Sequence, residues 1–212
     1  MEEKRIAVFA SGRGSNFLAI LKKIQTGYIP AKIAICITNN PDAGITSIAE
    51  ANDIPVRVFI PKEFTDAKQF NDAILSELEA KKVDYIILAG YLKLIGGQIV
   101  ERFENRIINI HPALLPSFGG KGMYGHHVHE AVFNRGVKLS GATVHLVNSE
   151  FDDGPIVMQK SVDITAVKSP EEIAAKVLEI EHEIFSEAVK LMVENKIQLS
   201  GNRVEILGDP NL

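Results

Sequence analysis

The chain has 212 residues, 46% of them hydrophobic and 24% charged, with a formal net charge of −4. That acidic balance argues against nucleic acid or an anionic membrane as a general partner, since both require a basic face. No apolar run approaches the roughly 20 residues that span a bilayer. The lone cysteine, Cys36, rules out an intrachain disulfide and lies in the apolar run Ile33 to Ile37, where it reads as an inert core residue. Met1 to Arg5 leads directly into apolar residues with neither a long hydrophobic segment nor a small-residue cleavage site. No signal peptide is expected, and the default reading is a cytoplasmic protein.

Short apolar runs alternate with helical patterns. Arg5 to Ala10 reads as a buried strand, and Ser15 to Thr26 as a helix with Phe17, Ile20, Leu21 and Ile24 on one face and Gly27 beyond its end. A strand over Lys32 to Thr38, a helix over Ala43 to Asn52 and a strand over Val56 to Ile60 follow. Thr65 to Lys82 is an amphipathic helix with Phe70, Ile74, Leu75 and Leu78 inward. Tyr85 to Ala89 is a fourth strand, Gly97 to Phe103 a short helix and Arg106 to Ile110 a fifth strand. These strands are almost continuously apolar, as in a parallel sheet covered on both faces. The Pro- and Gly-rich stretch His111 to Gly125 reads as an irregular loop, long enough to suggest function. A helix near His127 to Asn134, strands near Ser140 to Val147 and Ile156 to Val162, a helix over Pro170 to Asn195 and a tail strand at Arg203 to Leu207 complete the pattern. The expected architecture is α/β: a doubly wound, mostly parallel, seven-stranded sheet with helices on both faces. One domain spans 1–212, and its ligands sit beyond the C-terminal strand ends.

Three segments could support chemistry. Ser11-Gly12-Arg13-Gly14-Ser15-Asn16 joins the first strand to the first helix. Its glycines can bring bare amides to an anion at a helix N-terminus, with Ser15 or Asn16 as cap; it also reads as a plain βα turn. It is neither a Walker loop nor a full dinucleotide fingerprint, because position 17 is Phe. In Asn109-Ile110-His111-Pro112 the Asn and His are two residues apart and share one face of an extended chain. Asn can donate to an oxyanion and His can move protons near neutral pH, though both can equally tie down backbone at a strand end. Asp152, in Phe151-Asp152-Asp153-Gly154-Pro155, is ordinary turn chemistry, or else a carboxylate that favours protonated His111 if the two meet. His126, His127 and His129 lack companions at metal-ligand spacing, so no metal is expected.

Taken in order, Gly12 to Asn16, Leu88-Ala89-Gly90-Tyr91-Leu92, Asn109 to Pro116 and Phe151 to Pro155 resemble the folate-dependent phosphoribosylglycinamide formyltransferases over nearly the whole chain. The resemblance implies transfer of a formyl group from 10-formyltetrahydrofolate to the amine of 5′-phosphoribosylglycinamide (GAR) in purine biosynthesis. It implies catalysis by Asn109, His111 and Asp152, and phosphate and GAR contacts at Gly12, Arg13, Gly14, Ser15, Asn16 and Glu181. Folate contacts would fall at Lys68, Tyr91, Leu92, Lys93, Leu94, Ile95 and Asn109, with Lys68 standing where the family has an arginine. The phosphate end falls in about 1–105 and the folate and catalytic part in about 106–212. Two helix-opening histidines of the family match His127 and His129. One departure stands out: Gly119 to His126 lengthens the loop before that helix by roughly five residues. Rival readings are a formyl-folate hydrolase, an aminoacyl-tRNA formylating enzyme, a non-catalytic folate or nucleotide sensor, and a phosphosugar oxidoreductase. Against the last, Thr38-Asn39-Asn40 supplies no acid after the second strand. The sequence leaves monomer or homodimer open.

Overall fold

The structure, a computed structural model, describes residues 3–208. The elements are β1 (Lys4–Phe9), α1 (Ser15–Gln25), β2 (Ala31–Thr38), α2 (Gly44–Glu50), β3 (Val56–Val58), α3 (Ala67–Ala80), β4 (Tyr85–Leu88), α4 (Gly97–Arg102) and β5 (Ile107–His111). The second half adds α5 (His126–Arg135), β6 (Leu139–Leu146), β7 (Ile156–Asp163), α6 (Pro170–Val193), β8 (Ile197–Ser200) and β9 (Arg203–Ile206). Local chemistry sets several of these bounds. Asp66 caps α3 by accepting from the Gln69 amide at 2.8 Å, which leaves Thr65 outside the helix. Ser169 caps α6 in the same way, with Pro170 at its first position and Glu171 and Glu172 in its first turn. β3 stops two residues short of the expected Ile60, ahead of a 3₁₀ turn at Pro61–Glu63.

Seven strands form one sheet in the order β3-β2-β1-β4-β5-β6-β7. β1 to β5 are mutually parallel, while β6 and β7 add antiparallel pairings at one edge. Two apolar cores lie against it. The larger joins the sheet to Phe17 and Ile20 of α1, Ile45 of α2, Val128 of α5 and Phe185 of α6. The smaller, under Ile74 and Leu78 of α3 and Ile99 of α4, covers the other face. Burial on both sides is why β1, β2 and β4 read as unbroken apolar runs. β7, at the edge, is largely exposed and carries polar residues in its middle instead. The order reverses between β1 and β4, so the loops leaving these two strands splay apart and open a crevice at their C-terminal ends.

The tail departs from expectation. Arg203–Ile206 does form a strand, but it pairs with Ile197–Ser200, which the sequence does not announce, in a separate two-stranded sheet. Ile197–Ser200 follows α6 within four residues, and its Ile-Gln-Leu-Ser alternation is too short to stand out beside the long helix.

Candidate active site

The crevice at the strand reversal is a cavity of about 380 Å³, bordered by the β1, β4 and β5 exits, the 118–126 loop, the β6–β7 loop and one face of α6. At the β1 exit the Ser11 amide donates to Gly90 O at 3.0 Å, and Ser11 Oγ accepts from the Leu92 amide at 2.9 Å. Ser11 Oγ in turn donates to Asn39 Oδ1 at 2.5 Å. These bonds fix the β1 and β4 loops to each other. Gly14 sits at φ 82, where an added Cβ would lie 3.2 Å from Ile45 Cα, so glycine meets both a conformational and a packing demand. No side chain caps α1, contrary to the expectation for Ser15 or Asn16. Gly14 takes the capping position, and Asn16 turns inward to donate from Nδ2 to Glu181 Oε2 at 2.6 Å. The first-turn amides of α1 are therefore left without a side-chain cap, and no acidic residue lies in that turn.

Burial pushes Glu181 up to about 7, against the opposing hydrogen bond from Asn16. Its folded pKa lies above the ordinary 4.5, so its contribution to stability is complete below pH 4.5 and is lost as pH rises toward 7. Glu181→Gln, which can still accept from Asn16, is expected to remove that slope. Above pH 7 it should gain on the order of 3 kcal/mol relative to the parent chain. Urea unfolding at pH 5 and pH 8 measures the difference.

At the opposite end, β5 presents Asn109 and His111 on one face of the strand. The antiparallel register sets Asn109 directly opposite His145 of β6 and His111 opposite Thr143. Asn109 Nδ2 lies 3.1 Å from His145 Nε2, and His145 Nδ1 lies 2.8 Å from Leu146 O. A carbonyl only accepts, so Nδ1 holds the His145 proton and Nε2 accepts from Asn109. By the same reasoning His111 Nε2 donates to Phe118 O at 2.8 Å, which turns His111 Nδ1 toward Asp152 Oδ2 at 3.5 Å. Asp152 Oδ1 stands 3.7 Å from His145 Nε2, and Asp152 Oδ2 accepts from the Gly120 amide at 2.9 Å. Thr143 and Gln159, opposite each other across β6 and β7, hold the chain beyond β5. Thr143 Oγ1 donates to Ala113 O and accepts from the Leu115 amide, and Gln159 Nε2 donates to Leu115 O. The Leu115–Pro116 bond is cis.

The electrostatics correct one expectation. Protonated His111 was expected beside Asp152. Instead burial lowers the His111 pKa and outweighs the Asp152 charge and the Phe118 carbonyl, both of which raise it, while His145 lowers it further. Burial raises Asp152, but contact with His145 and His111 and the Gly120 amide together hold it below the usual carboxylate value. The free protein thus holds an ionised Asp152 next to a His111 that is predominantly neutral at pH 7.

Gly12, Arg13, Asn16, Tyr91, Leu92, Asn109, His111, Asp152 and Glu181 all border the cavity. Gly14 and Ser15 are not among the residues that line it. Lys68 is exposed on α3, paired with Asp72 at 2.6 Å, and is not among the residues that line the cavity. Lys93 and Leu94 are exposed beyond its rim, and Ile95 is buried in the smaller core. His126 pairs with Glu130 and Glu171, and His127 with Glu130. His129 faces the cavity, and burial, His126 and His111 lower it to about 4. Among the described residues no three His, Cys, Asp or Glu side chains gather as a metal site. Sequence reasoning missed His145. Its one signal was a lone polar residue between Val144 and Leu146, and only the β5–β6 register brings it to Asn109.

A mostly parallel sheet with a crevice at its reversal, bordered by an Asn–His–Asp cluster at one end and an uncapped helix N-terminus at the other, has the architecture of a doubly wound α/β protein with its ligand site at the switch point. The chain belongs to the formyl transferase family, whose model matches residues 4–189. It is 42% identical over 206 residues to a chloroplastic phosphoribosylglycinamide formyltransferase of Arabidopsis thaliana, covering 96% of this chain and 70% of that protein. It is 39% identical over 199 residues to the phosphoribosylglycinamide formyltransferase of Haemophilus influenzae, covering 94% and 92%. The crystal structure of glycinamide ribonucleotide transformylase 1 from Symbiobacterium toebii superposes with a TM-score of 0.91 at 35% identity, over 97% of this chain and 94% of that one.

Proposed function

We propose that the protein transfers the formyl group of 10-formyltetrahydrofolate to the primary amine of GAR, giving formyl-GAR in purine biosynthesis. The observation that supports this best is the meeting of Asn109, His111 and Asp152 at one end of a cavity whose other end holds Gly12, Arg13, Asn16 and Glu181. The two halves, about 1–105 and 106–212, act as one domain, the first supplying the phosphate end and the second the catalytic end.

The amine attacks the formyl carbon and a tetrahedral oxyanion forms. Asn109 Nδ2 has two hydrogens. One goes to His145, and the other is directed at the oxyanion. The His111–Asp152 pair takes the proton released by the amine and returns it to the departing folate nitrogen. It starts from neutral His111, and Asp152 stabilises the imidazolium as it forms. His145 is a positioning residue acting through Asn109. The GAR phosphate rests on the α1 N-terminus and the 12–15 backbone with Arg13, and Glu181 receives a ribose hydroxyl. Folate runs along Tyr91 and Leu92 toward Asn109. Lys93 and Leu94 flank its exposed end, while Ile95 supports that segment from beneath. Lys68, exposed on α3, would meet only the outer end of the folate.

Steady-state kinetics with GAR and with its dephosphorylated form test the assignment of the two ends. Losing the phosphate is expected to raise KM by roughly tenfold or more, the worth of one or two charge-assisted hydrogen bonds. An unchanged KM would place the phosphate elsewhere.

A further inference from the structure

We infer that the backbone of residues 118–120 is a positioning clamp that holds His111 and Asp152 together as one proton-sharing pair. The inference rests on the catalytic reading above and concerns a segment to which that reading gives no task.

The Phe118 carbonyl accepts from His111 Nε2 at 2.8 Å, and the Gly120 amide donates to Asp152 Oδ2 at 2.9 Å. Asp152 Oδ2 is also the oxygen 3.5 Å from His111 Nδ1. Three residues of backbone thus grip both partners, one through a carbonyl and the other through an amide. The first bond occupies Nε2, leaving Nδ1 as the ring nitrogen that loads and unloads a proton. The second fixes the oxygen that faces it.

Presenting a carbonyl and an amide to neighbouring groups so close in sequence requires an unusual backbone. Phe118 lies at φ 56, a left-handed conformation rarely adopted by a bulky side chain, and Gly120 lies at φ 92. Asp152 itself sits at φ 53. Strain of this kind persists where surrounding structure over-determines it, and the surroundings here do so. The chain entering the clamp is pinned at Leu115 by Thr143 and Gln159. Phe118 and Met123 pack against the larger core, and the Met123 amide bonds back to Gly120 O at 3.0 Å. Between the two gripping residues, an added Cβ on Gly119 would lie 2.5 Å from Leu115 Cδ2 and 3.3 Å from Asp152 Cβ. The segment is packed closely against Leu115 and the Asp152 side chain. The lengthened stretch of this loop begins at the clamp, and its Met123 and Tyr124 extend the cavity wall beyond it.

NMR of the substrate-free protein tests this independently of formyl transfer, so its failure is distinguishable from failure of the proposed reaction. The Gly120 amide resonance is expected to titrate with the midpoint of the Asp152 side-chain carboxyl carbon, and to lose that titration in Asp152→Asn. Gly120→Ala, strained at φ 92, is expected to raise the Asp152 midpoint by about one unit. It should also lower kcat about tenfold, with KM for the amine nearly unchanged. Gly136→Ala, at φ 67 beyond α5 and remote from the cavity, controls for left-handed strain alone and should move neither midpoint nor kcat. A Gly120 amide indifferent to Asp152, or a Gly120→Ala chain with unaltered midpoint and kcat, would overturn the clamp. If Gly120→Ala does not fold, the parent-chain titration decides.

Discussion

His111→Ala is expected to lower kcat for formyl transfer by about three orders of magnitude, the middle of the range for a positioned acid–base group. KM for the amine should stay within a few-fold, since the phosphate end is built from α1 and α6. The ring is 3% exposed and donates to Phe118 O, so its loss leaves a buried carbonyl without its donor and destabilises the fold as well. The two effects separate in one set of measurements: kcat and KM on chain shown by circular dichroism to be folded, and urea unfolding for the stability cost. A His111→Ala chain with full turnover would remove the centre of the mechanism.

The second large effect is expected from Asp152→Asn, which keeps the side-chain shape and an oxygen for the Gly120 amide but removes the charge. We expect kcat to fall by about 10²–10³-fold, because the imidazolium that forms on His111 loses its counter-charge. The pH dependence should move in a defined direction. Asp152 raises the His111 pKa against the larger effect of burial. Without the carboxylate that pKa falls further, so the acid limb of the kcat/KM profile, which reports protonation of the base, shifts to lower pH. A shift to higher pH would contradict the arrangement of charges described here.

Much of this molecule is readable from its residues, for physical reasons that also mark where reading stops. β1, β2 and β4 announce themselves because both sheet faces are covered, which makes their runs apolar throughout. Asn109 and His111 are legible as a pair because strand periodicity puts i and i+2 on one face. That Asp152 reaches His111 is not legible. It depends on the β6–β7 loop folding back at a left-handed aspartate, and on the Gly120 amide 32 residues away in sequence. His145 is hidden for a related reason, since its partner is set by antiparallel register and not by spacing. The protonation of His111 is not legible because a sequence shows the neighbouring charge but not the depth of burial that opposes it. Asn16 reads as a helix cap, yet its amide is drawn to Glu181 across 165 residues. Lys68 stands in α3 at a position of apparent correspondence, while its ammonium is committed to Asp72 one helical turn away. The β8 strand escapes detection because its alternation covers only four residues directly after a long helix.

The most direct measurement is formyl transfer itself: purified protein with 10-formyltetrahydrofolate, with and without GAR, following release of deformylated folate by absorbance. Release that requires GAR, yields formyl-GAR in equal amount and disappears in His111→Ala is the expected result. Folate release at the same rate without GAR would make the protein a formyl-folate hydrolase. Binding of both ligands with no release would make it a sensor. Either outcome would contradict the assignment of Asn109, His111 and Asp152 to amine formylation.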